Sequence, residues 1–135
     1  MGGAAIGVER DRNCQNQAPL GPPFFSVLTF ASGGTLIDQG GNRGYAPGQK
    51  GIGLGGWKQD AQGRYNANTT TLIFFDTAAH LPVTPGFLEG AQTVSQRIDL
   101  VDANAFNAVA SSQFFDTAAR SYRSGCATAV GRRFQ

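Results

Sequence analysis

Apolar and polar residues alternate one by one through Gly90–Val101: Val94, Gln96, Ile98 and Leu100 share one face, Thr93, Ser95, Arg97 and Asp99 the other. A period of two is the mark of a β-strand with one buried face. Upstream of Gly90 a glycine or proline falls every few residues, too often for helices to propagate. The chain is therefore expected to be all-β. A repeated hexapeptide supports this, since Phe74-Phe75-Asp76-Thr77-Ala78-Ala79 recurs as Phe114-Phe115-Asp116-Thr117-Ala118-Ala119. Two aromatics running into a short polar and small stretch read as a strand ending in a turn. Two copies are too few for a solenoid.

The rest of the chain can be divided on the same basis. Residues 1–23 form an irregular N-terminal segment with a first strand around 5–13 and a proline-rich connection, Ala18–Pro23. Phe24–Phe30, a turn at Ala31–Gly34 and Thr35–Asp38 make a tight hairpin. Residues 39–56, with eight glycines and one proline, read as a long mobile loop. Trp57–Gln59 leads into the turn Asp60–Gly63, and Tyr65–Phe75 runs out as a threonine-rich strand. From Ala103 two readings stay open. Ala103, Phe106, Val109, Ala110 and Phe114 fit one face of a helix, but a strand ending in the repeated turn gives the run Tyr122–Phe134 an antiparallel neighbour. The expected architecture is one domain, residues 1–135, folded as a single antiparallel up-and-down barrel of about eight strands. Closure would remove exposed sheet edges.

Composition narrows function by exclusion. A chain of 135 residues buries about two-thirds of its surface on folding, enough for one core. Charged residues are only 15% and the net charge of +2 is scattered, so no nucleic-acid stripe is present. No run of eighteen apolar residues suggests membrane insertion, and Met1–Gly7 lacks the basic head and apolar middle of a signal peptide. The expectation is the trimmed form of an exported protein. Cys14 and Cys126 near opposite ends would sit on neighbouring strands of a barrel. A disulfide between them is one reading, two buried thiols the other.

Motifs for chemistry are weak. One histidine and two distant cysteines do not make a metal site, so neither a metal nor a cofactor is expected. His80 in a Pro-flanked loop reads as solvated rather than as part of a triad with Asp76. Gly51–Gly56 matches G-x-G-x-x-G, but no strand precedes it and no helix follows, so nucleotide binding is not expected. Asn68-Thr69-Thr70 fits a glycosylation sequon.

Leu28-Thr29-Phe30 with Gly33-Gly34-Thr35-Leu36, then Pro47-Gly48, Gly56-Trp57, Phe75-Asp76, Gly125–Ala129 and Arg132-Arg133-Phe134 together resemble the small bacterial lipocalin-like (calycin-type) barrel proteins of unassigned activity. The resemblance spans most of residues 24–135. It implies a cavity for a small apolar molecule, and a cation–π contact of Trp57 with Arg132 or Arg133.

Taken together, the expected activity is binding of a small apolar or amphipathic molecule inside the barrel. Gln96 would be the polar anchor, Tyr65, Phe75, Phe106, Phe114, Tyr122 and Trp57 the walls, and residues 39–56 the entrance flap. Gln96 could instead bond Tyr65 or Ser112, and the phenylalanines could simply fill the core. Arg97 and Asp99 belong outside unless the strand's register is reversed, in which case they become the buried pair and the catalytic candidates. Two alternatives remain: a cofactor-free lyase, isomerase or cyclase using the same cavity, and a self-assembling exported protein with homo-oligomer contacts on its outer faces.

Overall fold

A computed structural model describes residues 3–9, 24–41, 45–74 and 90–134. Every regular element among them is a strand: β1 (Gly3–Glu9), β2 (Phe25–Phe30), β3 (Thr35–Gly41), β4 (Gly53–Gln59), β5 (Tyr65–Ile73), β6 (Gly90–Asp102), β7 (Ala105–Asp116) and β8 (Ser121–Arg133). From β2 to β8 each strand pairs antiparallel with the next, an up-and-down meander. β1 pairs on both sides, Gly7 lying opposite Phe25 of β2 and Val130 of β8, so the strand order returns on itself. The all-β, antiparallel expectation holds.

From Ala103 the strand reading, favoured over the helix, is the one found: Ala108 and Ala110 pair with Ile98 and Gln96 on one side and with Ala129 and Ala127 on the other. One expectation about the fold needs correction. The supposed loop 39–56 is shorter. Residues 39–41 complete β3 and Gly53–Gly56 begin β4, with Leu54 paired to Ile37 and Thr70. Glycines hide a strand from a reading of periodicity, since they carry no side chain to alternate. At Gly55 a Cβ would collide with the Asn68 carbonyl, so the close approach of β4 to β5 requires glycine there. The first strand, expected around 5–13, covers Gly3–Glu9 among the described residues; 10–13 lie outside them. Cys14, Phe75, His80 and all of the first hexapeptide copy except Phe74 lie outside the described residues.

Alternation runs round the sheet as the sequence suggests. Gln96 and Ile98 are buried while Arg97 and Asp99 are exposed, which settles the register of β6. Leu100 departs from it at 57% exposed, where pairing shifts between Leu100 and Asp102 and the strand leaves the core. Inward residues divide into two tiers. At the end carrying the hairpins 31–34, 60–64 and 103–104, Leu28, Leu36, Ala67, Ile98, Phe106, Ala108 and Ala129 form the core, with Phe30, Trp57 and Tyr65 packed on it. Phe106 lies opposite Gly131, and its ring occupies the space a Cβ at 131 would need. This is an apolar floor.

Two turns on opposite ends solve the same problem. Asp60 Oδ1 accepts from the amides of Gln62 and Arg64, both at 2.9 Å, and Asp116 Oδ1 accepts from those of Ala118 and Arg120 at 2.9 and 3.0 Å. The residue before each arginine is left-handed, Gly63 at φ 82° but Ala119 at φ 60°. A Cβ in that region costs about 1–2 kcal/mol. Ala119→Gly should therefore stabilise the protein by about 1 kcal/mol once glycine's extra unfolded-state entropy is subtracted. Urea unfolding measures it; unchanged or lower stability would refute the strain.

Candidate functional site

Above the floor the interior changes character. Ser26, Thr69, Thr71, Gln92, Gln96 and Ser112 are buried, and Asp38 and Lys50 point the same way. Their strands present them by simple alternation. Ser26 precedes Leu28 by two, Asp38 follows Leu36 by two, Thr69 and Thr71 lie between Ala67 and Ile73, and Gln92 precedes Gln96 by four. Lys50 comes from the connection ahead of β4, where it is bridged to inward-facing Ile73. Gln49 fastens that connection. Its carbonyl accepts from Phe74 N at 2.8 Å and its Oε1 accepts from Ala46 N at 2.8 Å.

Across the strands, one row runs Leu28, Asp38, Gly53, then Thr71, Gln92 and Phe114. Glycine at 53 lets the two polar groups approach: its Cβ position lies 2.8 Å from Thr71 Oγ1 and 3.2 Å from Asp38 Cβ. Ser26 donates to Asp38 Oδ1. Lys50 Nζ and Ser26 Oγ both reach the space over Gly40, 3.7 and 3.8 Å from its Cβ position. On the far side Gln92 Nε2 donates to Ser112 Oγ at 2.8 Å. Gln92 Oε1 and Thr69 Oγ1 are buried with no hydrogen-bond partner among the described residues. Each such group costs about 1–3 kcal/mol if nothing meets it.

Burial sets the electrostatics. It pushes the Asp38 carboxyl above its ordinary 3.8, against the opposing pull of the Ser26 hydroxyl and the Lys50 charge. It pulls the Lys50 ammonium below 10.5, and Asp38 partly offsets that. Tyr45, over whose ring Lys50 Nζ sits at 5.5 Å, is pushed up to about 12, chiefly by burial and then by Tyr122, with Arg123 opposing. The segment carrying Tyr45 therefore reaches the neighbourhood of β8, at the end where β3 hands over to β4. Among the described residues no three of His, Cys, Asp and Glu converge.

The residues singled out by sequence disperse between the tiers. Trp57, Tyr65 and Phe106 belong to the floor: Trp57 meets Phe30 edge-on at 6.2 Å and Tyr65 at 5.6 Å, and Phe30 meets Phe106 at 6.4 Å. The expected Trp57 contact with Arg132 or Arg133 is replaced by these rings and by a bond from its indole N–H to the Ala31 carbonyl at 3.0 Å. The guanidinium–ring stack found is Arg123 over Phe114, at 5.2 Å. Gln96 is 8% exposed, in the middle of the barrel between Ala67 and Ala110. Ser112, one of its two expected partners, bonds Gln92 instead. Phe114 is buried in the upper tier, whereas Tyr122 is 60% exposed at its rim. Phe75 lies outside the described residues.

Sequence reasoning missed Asp38, Lys50, Thr69 and Gln92. Three of them keep the parity of recognised core neighbours, so alternation carried the signal. Lys50 follows a turn in a glycine-rich stretch and had none. No protein-family model, no curated protein and no solved structure matches this chain.

The Asp38–Lys50 coupling is measurable. In the carbon-13 titration of the Asp38 carboxyl, the midpoint should lie above 3.8 and move higher in Lys50→Met, which removes a charge favouring the carboxylate. A raised folded-state value means stability is fully present below about 3.9 and lost as pH rises through the folded midpoint, so this variant should weaken over that window. A downward or absent shift would show that the two groups do not interact.

Proposed function

We propose that this chain is a lipocalin-like barrel that binds one small apolar or amphipathic molecule inside, between the aromatic floor and the polar tier. The observation that carries the reading is the pair of buried, unpartnered atoms, Thr69 Oγ1 and Gln92 Oε1, facing an interior lined at that level by Gly125, Ala110 and Ala127. Unmet polar atoms destabilise a fold, and apolar residues of similar shape would remove the cost. Their presence makes sense where a bound molecule meets them. Access would be at the end where β3 hands over to β4 and β5 to β6, opposite the floor.

The same proposal includes export and a Cys14–Cys126 disulfide. Cys126 is buried, and β1 ends with Glu9 opposite Thr128, so the chain leaves β1 beside the cysteine. Closing so long a loop is worth about 4–5 kcal/mol in the chain-entropy model.

A second reading, a cofactor-free lyase or isomerase, is favoured by Asp38: an inward carboxyl with a raised pKa beside an inward ammonium is suited to moving a proton. Asp38→Asn would then abolish turnover of a co-purified substrate without abolishing its binding.

Native mass spectrometry of freshly purified, unreduced and alkylated protein tests the main reading. The expected spectrum shows the chain plus one small molecule and no alkylated thiol, and the stripped protein should take up 1-aminoanthracene saturably near equimolar dye. A bare chain with no saturable dye uptake would overturn the binding role, and thiol adducts would overturn the disulfide.

A further inference from the structure

Resting on the ligand-binding reading, we infer that the occupant is a neutral amphiphile whose head group donates a hydrogen bond, an alcohol rather than a carboxylate. The Gln92 amide sets the requirement. Its Nε2 is committed to Ser112 Oγ at 2.8 Å, and Ser112 is itself only 1% exposed, so this bond fixes the amide with its oxygen unmet. An amide oxygen can only accept. An ionised carboxylate can only accept as well, and placing it there would set two acceptors against each other in a site shielded from water.

Thr69 supplies the complementary group. It lies diagonally from Gln92 on the neighbouring strand, since Thr71 is opposite Gln92 and Thr69 opposite Val94. Diagonal neighbours on one face are about 7–8 Å apart, a gap that one oxygen atom between the two side chains can bridge. A hydroxyl donates its proton to Gln92 Oε1 and accepts from Thr69 Oγ1, using both unmet atoms at once. An ether accepts but cannot donate, so it satisfies only Thr69.

Charge points the same way. Asp38 stands in the row of Gln92, separated from it by Gly53 and Thr71, and would repel an anion at this position. Lys50 faces the same interior, yet its charge is opposed by Asp38 and would in turn repel an ammonium head. The tail then runs over Val94, Ala110 and Ala127 toward the floor. About 13 Å of strand separates Gln92 from Gln96, room for a short chain or a small ring system.

The experiment uses 1-octanol, octanoate and methyl octyl ether as probes, titrated into nitrogen-15-labelled full-length protein. Octanol should shift the Gln92 side-chain amide and the backbone amides of Thr69 and Ala110. It should bind about three- to tenfold more tightly than the ether, the worth of one neutral hydrogen bond. Thr69→Val, which keeps shape and removes the hydroxyl, should weaken octanol and the ether alike and leave octanol's advantage over octanoate in place; Gln92→Leu should bring octanol down to the ether. Native-like spectra of the free variants establish that they fold. Octanoate binding as tightly as octanol, or an ether that matches it, would overturn the head-group assignment and leave the ligand-binding reading standing. No shift of interior amides with any probe would overturn both.

Discussion

The ring of Phe106 lies where residue 131 would carry a Cβ, and the layout of the interior depends on that single substitution of ring for side chain. Glycine opposite an aromatic lets the ring lie flat on the neighbouring strand, and the ring in turn sets where Phe30 packs. Phe30 meets Trp57, and Trp57 is held on the 31–34 hairpin twice, by its indole bond to Ala31 and by its backbone bond to the Gly34 carbonyl at 2.7 Å. A chain of edge-on rings therefore runs across one end and ties β7 and β8 to β2, β3 and β4. Aromatic pairs of this geometry add about 0.5–1.5 kcal/mol each beyond their area burial. The large apolar side chains are thus gathered at one end, and the remainder of the interior is left to small and polar residues.

That asymmetry explains why the polar tier is where function is sought. A fully packed barrel of this size needs large side chains along its whole length. Here the middle is lined by alanines and a glycine, and above them come hydroxyls, an amide and an opposed pair of charges. Burial disfavours both charges at once, so Asp38 and Lys50 are each shifted toward neutrality, and the charge of each partly offsets the shift of the other. The arrangement is strained in the electrostatic sense, which fits a site more readily than a structural support.

Much of the architecture could be read from residues. The alternation of Gly90–Val101 put Gln96 and Ile98 inside and Arg97 and Asp99 outside, because burial on one face leaves no freedom of register. Ala103–Phe114 resisted the same reading: Phe106, Ala110 and Phe114, four apart, share a face in a helix as well as in a strand, and only the pairing of Ala110 with Gln96 and Ala127 decides it. Gly53–Gly56 failed for the opposite reason, carrying too few side chains to show any period. The site was less legible than the fold. Bulk drew attention to Trp57, Tyr65 and Phe106, which bulk places in the floor, while Ser26, Asp38, Thr69 and Gln92 are short or polar and become significant only when neighbouring strands set them side by side.

The proposed ligand sits inside, over the floor, and the competing surface is the outer row of exposed Val27, Ile37, Leu54 and Leu72. Intermolecular nuclear Overhauser effects from bound 1-aminoanthracene to methyl-labelled protein separate the two. Contacts to the Ala110 and Ala127 methyls, with none to the outer row, are the result this account predicts. Contacts confined to Val27, Ile37, Leu54 and Leu72 would contradict it.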